Sequence, residues 1–267
     1  MAKYMLGKLP KKVDSRTLAL ARYLTAAVPA PPPSVDYGGA VLDWGMLGND
    51  TAGDCAWAGQ AHADMLWVAN AQRQQLAITT DQVLQAYEQV TGYNPGDVQP
   101  DGSNPTDNGT ALLDALKYWR ATGIDQQTIT AFVEIDPTNS DHVKQGLNLF
   151  GTLYLGVQLP NSVLPHPPSP IPPWTVAPDG TPDNQPDPKN GHCVIYCAYD
   201  ANGLTAVTWG QTVRVSWAFH AAYCDELYAL LSPSWFKDGT DPEGINIAAL
   251  TADLQQIAAQ GSPQPAP

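Results

Sequence analysis

The sequence predicts an α+β fold in which helices and strands are segregated along the chain. Segments with helically spaced apolar residues fill the first 150 positions, while short β-rich segments dominate after residue 190. Between them, residues 160–190 hold 11 of the 25 prolines and few apolar groups. That composition reads as a loop or insert rather than as a regular element. At 267 residues and 43% hydrophobic content, the chain can bury a substantial core in one body of two lobes.

Each element follows from local signals. Residues 1–34 form a basic N-terminal arm and Pro-rich linker: SRTLALARYL (15–24) suggests a short helix N-capped by Ser15, and VPAPPPS should be extended. CAWAGQAHADMLWVANA (55–71) is Ala-rich and lacks proline, so a central helix should begin at or beside Cys55, with Asp54 as its N-cap. In TTDQVLQAYEQVTGY, Thr79 and Gln82 have capping-box spacing, and Val83, Tyr87 and Val90 share a face. NPGDVQPDGSNPTDNG is loop, and a helix over 110–122 follows, closed by Gly123. NSDHVKQGLNLFG reads as a helix capped by Ser140, and TLYLGVQL as a strand. Strands are expected at 192–199, 204–209, 212–218 and 224–231, forming a mainly antiparallel sheet. In residues 237–267, Ile247, Leu250, Leu254 and Ile257 stand at helical spacing ahead of a disordered GSPQPAP tail.

Charge is unevenly distributed. The first 22 residues carry six of the 13 basic residues and one acid, so the arm is +5 and the rest −18, giving the formal −13. An acidic body repels phosphate backbones, which argues against nucleic acid as a partner. No run of 18 apolar residues exists, and MAKYMLGKLPKKVD lacks the apolar core of a signal peptide. The basic arm suits an acidic surface of its own body or of another copy; a solvated tail is the other reading. Four cysteines are sparse. Cys193 and Cys197 are too far apart on one strand to bridge, and Cys197 with Cys224 remains open. Free thiols in a reducing compartment are expected. No His, Cys, Asp or Glu group has metal-ligand spacing, and no cofactor is implied.

One thiol stands out. VDYGGAVLDWGMLGNDTAGDCAW (35–57) brings a turn-rich loop to Cys55 at the head of the central helix, where the helix N-terminus favours thiolate. Asp54 works against it, because a neighbouring carboxylate disfavours a second negative charge. A buried structural cysteine is the plain alternative. GHCVIYCAYD (191–200) then opens a strand with Gly191 and His192, and GLTAVTWGQ follows after a turn. His62, seven residues beyond Cys55, is expected to be a packed or cleft-wall histidine.

In this order the segments resemble the papain-like cysteine peptidases over residues 35–236. Val35-Asp36-Tyr37 stands for the family's V-D-W segment, and Asn49 occupies its Gln position six before Cys55. Thr208-Trp209-Gly210 stands for S-W-G, and DNGTALLDALKYWRATGI (107–124) for the N-G-G turn and following helix. The resemblance implies a papain-like two-lobed fold: a helical lobe facing an antiparallel β-barrel-like lobe, with the active cleft between them. It implies Cys55 as nucleophile, His192 as base, and the Asn49 side chain with the Cys55 N–H as oxyanion donors. Asn108, Gly109, Thr110 and Trp209 would contact substrate.

Two departures follow. The family's histidine-orienting Asn aligns with Val207, which has no hydrogen-bonding group, so Thr208 or a backbone carbonyl becomes the candidate. The Cys usual three residues before the nucleophile is Ala52. The chain also resembles bacterial and prophage papain-like proteins carrying N-D-x-x-G-D-C and T-W-G. The expected activity is a thiol hydrolase cutting a peptide, isopeptide or related amide, in the bacterial cytoplasm. The alternative is a papain-fold structural protein, virion-associated, that self-associates or binds virion proteins through its arm. The arm could also plug a cleft, though it is short for an independently folding inhibitor.

Overall fold

The computed structural model describes residues 4–25, 28–164, 170–177, 180–235 and 245–261. Strand β1 (Val35–Asp36) is followed by α1 (Cys55–Trp67), α2 (Thr80–Thr91), α3 (Leu112–Ala121), β2 (Ala131–Glu134), α4 (Ser140–Phe150) and β3 (Leu153–Gln158). Then come β4 (Gly191–Asp200), β5 (Gly203–Thr208), β6 (Gln211–Ser216), α5 (Trp217–Tyr223), β7 (Cys224–Leu231) and α6 (Ile247–Gly261). The strands form one sheet in the order β2-β7-β3-β4-β5-β6, with β1 added to β4 and every pairing antiparallel. The sheet stays open, with β2 and β6 at the ends of this path.

Strand alternation sorts the β residues onto two apolar cores. Cys193, Ile195, Cys197, Val207 and Tyr154 join α1, α2 and α3 on one face. Val194, Tyr196, Leu155, Val157, Val213 and Val215 join α4 and α5 on the other. Helix α1 is buried along its whole length, and continues as a π-helical turn over Val68–Gln72. It lies close against the sheet: a Cβ on Gly59 would stand 3.2 Å from the Tyr154 ring and 3.3 Å from Cys193 Sγ.

The expected capping box is present on α2, with Thr79 N–H donating to Gln82 Oε1 at 2.8 Å and Gln82 N–H to Thr79 Oγ1 at 3.3 Å. Three expectations are corrected. The 15–24 segment forms only a 3₁₀ turn, Leu20–Arg22. Its backbone is drawn to the body instead, where Glu134 N–H bonds the Leu18 carbonyl and Leu20 is buried. Helix α4 is capped by Asn139, whose side chain accepts from His142 N–H, and not by Ser140. Asp54 occupies the N-cap position of α1, but its carboxylate makes no capping bond because φ −93°, ψ 18° turns it away from the first-turn N–H groups. All four thiols are unpaired: Cys197 and Cys224 pack with opposite cores, so the pairing left open is not made. Of the C-terminal stripe, Leu250 is buried and Ile247 packs beside it. The side chains of Leu254 and Ile257, and the tail, lie outside the described residues.

Candidate active site

The loop before α1 is folded on itself, with Asn49 N–H bonded to Met46 O and Ala52 N–H to Gly48 O. The Asp107 carboxylate clamps it by accepting Gly53 N–H at 2.9 and 3.0 Å, and Tyr87 OH donates to the same carboxylate at 2.6 Å. This delivers Cys55 at the first position of α1, beside the start of β4. Its sulfur accepts the N–H of Cys193 at 3.3 Å.

His192 opens β4, opposite Val157 of β3. Its Nε2 meets Thr208 Oγ1 at 2.6 Å, and the Trp209 ring stacks on the imidazole at 4.0 Å and 12°. Trp209 adopts φ +45°, so the chain leaves β5 through a left-handed residue that turns the indole over the histidine. The second nitrogen, Nδ1, is buried and has no hydrogen-bond partner. Thr208 thus takes the place left by Val207, which packs in the core behind the strand.

The cleft is not empty of protein. Residues 4–9 of the arm run through it, with a single isolated β-bridge to the body at Lys8. Tyr4 stacks on Trp209 at 5.1 Å, and Trp209 Nε1 donates to Met5 O at 2.9 Å. Met5 N–H bonds Asn49 O, Gly7 N–H faces the Cys55 sulfur, and Lys8 N–H bonds Gly191 O at 3.0 Å. Thr110 pairs in parallel with Lys8, giving its N–H to Gly7 O at 2.7 Å and accepting Leu9 N–H at 3.0 Å. The fit needs glycine: a Cβ on Gly7 would lie 1.8 Å from Gly53 O, and one on Gly109 would lie 2.2 Å from Gly7 O.

Sealing changes the electrostatics expected of the thiol. Burial pushes the Cys55 thiol up to about 12, the Asp54 carboxylate adds to the rise, and the N–H groups of Cys193 and Gly7 only partly oppose it. Burial takes His192 down to about 3. The pair is therefore thiol and neutral imidazole in this form, and the helix N-terminus does not prevail. Burial also holds the Asp54 carboxyl well above its usual range.

Of the residues expected from sequence, Cys55, His192, Thr208, Trp209, Gly109 and Thr110 gather around arm residues 4–9. Asn49 lies beneath Met5, but its Nδ2 donates to Ala52 O at 3.1 Å, within its own loop. Asn108 stays in its turn, with Nδ2 on Pro105 O. His62 is a packed histidine, its Nε2 3.1 Å from both Trp44 O and Gly45 O, and burial lowers it to about 4. Gly7, Lys8, Asp225 and Glu226 are the cleft residues that sequence patterns did not single out. The available signals were the basic charge of the arm, its reading as a segment that could plug a cleft, and a glycine beside a lysine within it.

No protein-family model matches the sequence, and no curated protein matches it significantly. Solved structures do. The fold is similar to xylellain, a cysteine protease from Xylella fastidiosa, at TM-score 0.63 and 15% identity over 86% of this chain and 97% of that one. It is also similar to a recombinant stem bromelain precursor, at 0.53 and 13% over 86% and 78%. Digestive procathepsin L 3 of Tenebrio molitor larval midgut follows, at 0.51 and 11% over 86% and 76%. The chain has a papain-like fold, that of the cysteine peptidases. Among the described residues no helix is long and apolar enough to cross a membrane.

Proposed function

We propose that this chain is a papain-like thiol hydrolase that cleaves a peptide or related amide, held latent by residues 4–9 of its own arm. The observation that carries the proposal is the wiring of His192. Its Nε2 is fixed by Thr208, its face is covered by Trp209, and Nδ1 is left without a partner, while the N–H of the next residue, Cys193, bonds the Cys55 sulfur. A histidine that served packing alone would have no use for a buried, unpaired nitrogen, which costs free energy.

With the arm withdrawn, Cys55 passes its proton to His192 Nδ1 and its sulfur attacks the carbonyl carbon of the amide. The Cys55 N–H stabilises the oxyanion, and the Asn49 amide joins it once it turns out of its own loop. His192 then protonates the leaving amine, and water releases the acyl group from sulfur. The arm itself escapes cleavage: at the sulfur it presents the N–H of Gly7, while the Gly7 carbonyl is turned to Thr110. The second reading, a papain-fold protein acting through assembly contacts, draws on the same sealing of the site.

Gly7→Ala tests the two without shortening the chain, since the added methyl collides with Gly53 O and should expel the arm. Each unit by which the thiol pKa falls raises the thiolate fraction tenfold, so Cys55 should be alkylated at pH 6 at least about a hundredfold faster than in the parent. The parent should react only as pH climbs toward 12. Adding His192→Ala should remove the gain. If Gly7→Ala leaves Cys55 inert in a folded protein, the hydrolase reading fails.

A further inference from the structure

We propose that the pocket filled by Lys8 is a substrate-recognition pocket for a basic side chain, so that the opened enzyme prefers peptides bearing lysine or arginine beside the bond it attacks. It rests on the hydrolase reading for the position of that bond; its selectivity for charge stands on the pocket alone. The entrance lies one residue from the thiol, where Gly7 N–H meets the Cys55 sulfur and Lys8 N–H is held by the carbonyl immediately before His192. The lysine stem crosses Gly156 of β3, where a Cβ would stand 1.9 Å from Lys8 Cε, so a larger residue would close the channel.

At its end Nζ lies 2.8 Å from Asp225 Oδ2 and 3.0 Å from Glu226 Oε1. Both carboxylates are oriented by other groups: Gln158 Nε2 donates to Asp225 Oδ2 at 3.0 Å and Tyr228 OH to Glu226 Oε2 at 2.9 Å. Asp225 Oδ1 is buried without a hydrogen-bond partner, leaving an acceptor that a guanidinium could use. The Lys8 and Glu226 side chains are 1% and 0% exposed. Burial works against the lysine charge, yet Glu226 and Asp225 outweigh it and its pKa ends up raised. The buried Glu226 and the part-exposed Asp225 without a cation are costly, so the vacated pocket favours a basic guest over a neutral or acidic one.

The test uses the full chain carrying Lys8→Ala, which empties the pocket. Butylammonium should raise its melting temperature while 1-butanol does not, and adding Glu226→Gln should abolish the difference. Peptidyl acyloxymethyl ketones with lysine, norleucine or glutamate next to the ketone-bearing residue then read the cleft. The lysine probe should label Cys55 about tenfold faster than norleucine, the ratio that one charge-assisted bond supplies. Should Lys8→Ala misfold, the exchanged pair Lys8→Glu with Glu226→Lys keeps opposite charges, and its preference should turn to the glutamate probe. Selective labelling and butylammonium stabilisation without turnover of any peptide would uphold the pocket and remove the hydrolase reading. Equal labelling by all three probes in a protein that does hydrolyse peptides would overturn the pocket and leave the hydrolase reading intact.

Discussion

Thr208 reaches His192 because of sheet register, which periodicity along one strand cannot reveal. Ile195 of β4 pairs with Val207 of β5, and cross-strand partners share a face. One step on, Thr208 falls on the face of Val194 and therefore of His192, while Val207 points into the opposite core. The motif order made Cys55, His192 and Trp209 legible, and the alternation separated Val207 from Thr208. Which of the two faced the histidine depended on long-range pairing. A positioning role for Thr208 has a specific consequence in the Gly7→Ala background. Thr208→Val should slow Cys55 alkylation by roughly ten- to a hundredfold and move its pH profile, because the imidazole loses the bond that fixes its tautomer. Thr208→Ser, which retains the hydroxyl, should restore both. An unchanged profile in Thr208→Val would reduce the contact to packing.

At the scale of elements, whatever is written in local chemistry was readable, and whatever depends on a distant partner was not. The α2 capping box needs only Thr79 and Gln82, and the start of α1 needs only a turn-rich loop before an alanine-rich run. The 15–24 segment carries helical signals too, yet the bond from Glu134 N–H to Leu18 O and the burial of Leu18, Leu20 and Tyr23 override them. Two substitutions separate local from site-forming contributions. Thr79→Ala should cost about 1 kcal/mol in urea unfolding and leave Cys55 labelling in the Gly7→Ala background unchanged, since the cap's side-chain bonds run only to Gln82 within α2. Gly59→Leu must push α1 away from Tyr154 and Cys193, costing about 1–3 kcal/mol. It should also uncouple Cys55 from His192 and abolish the labelling advantage. If both variants behave alike at the thiol, close packing of α1 on the sheet is not what sets the site.

The whole molecule is tied together by its ends. The arm docks on its own body: Lys11 pairs with Glu134, Lys12 with Asp114, and Asp14 with Lys117, all at the surface. Farther along, Leu24 bridges Ile245 and Asn246 N–H bonds Tyr23 O, so α6 reaches the same apolar core as Leu20 and Tyr23. The +5 and −18 distribution foretold an acidic docking surface, but 26 acidic residues offer many, and charge alone could not choose the cleft. Burial decides which contacts hold the latch. Surface pairs contribute about 0–1 kcal/mol each and are screened by salt, whereas removing one partner of a buried pair costs about 3–5 kcal/mol. Raising the salt from low ionic strength to 1 M should therefore increase Cys55 labelling in the parent chain only a few-fold, about the worth of one surface pair. Lys11→Ala with Lys12→Ala should behave similarly even at low salt. Lys8→Ala should raise labelling by about a hundredfold or more at any salt, because its pair with Glu226 is buried on both sides and lies beyond the reach of counterions. A latch that opened in 1 M salt as fully as in Lys8→Ala would mean that the surface pairs, and not the buried lysine, keep the cleft closed.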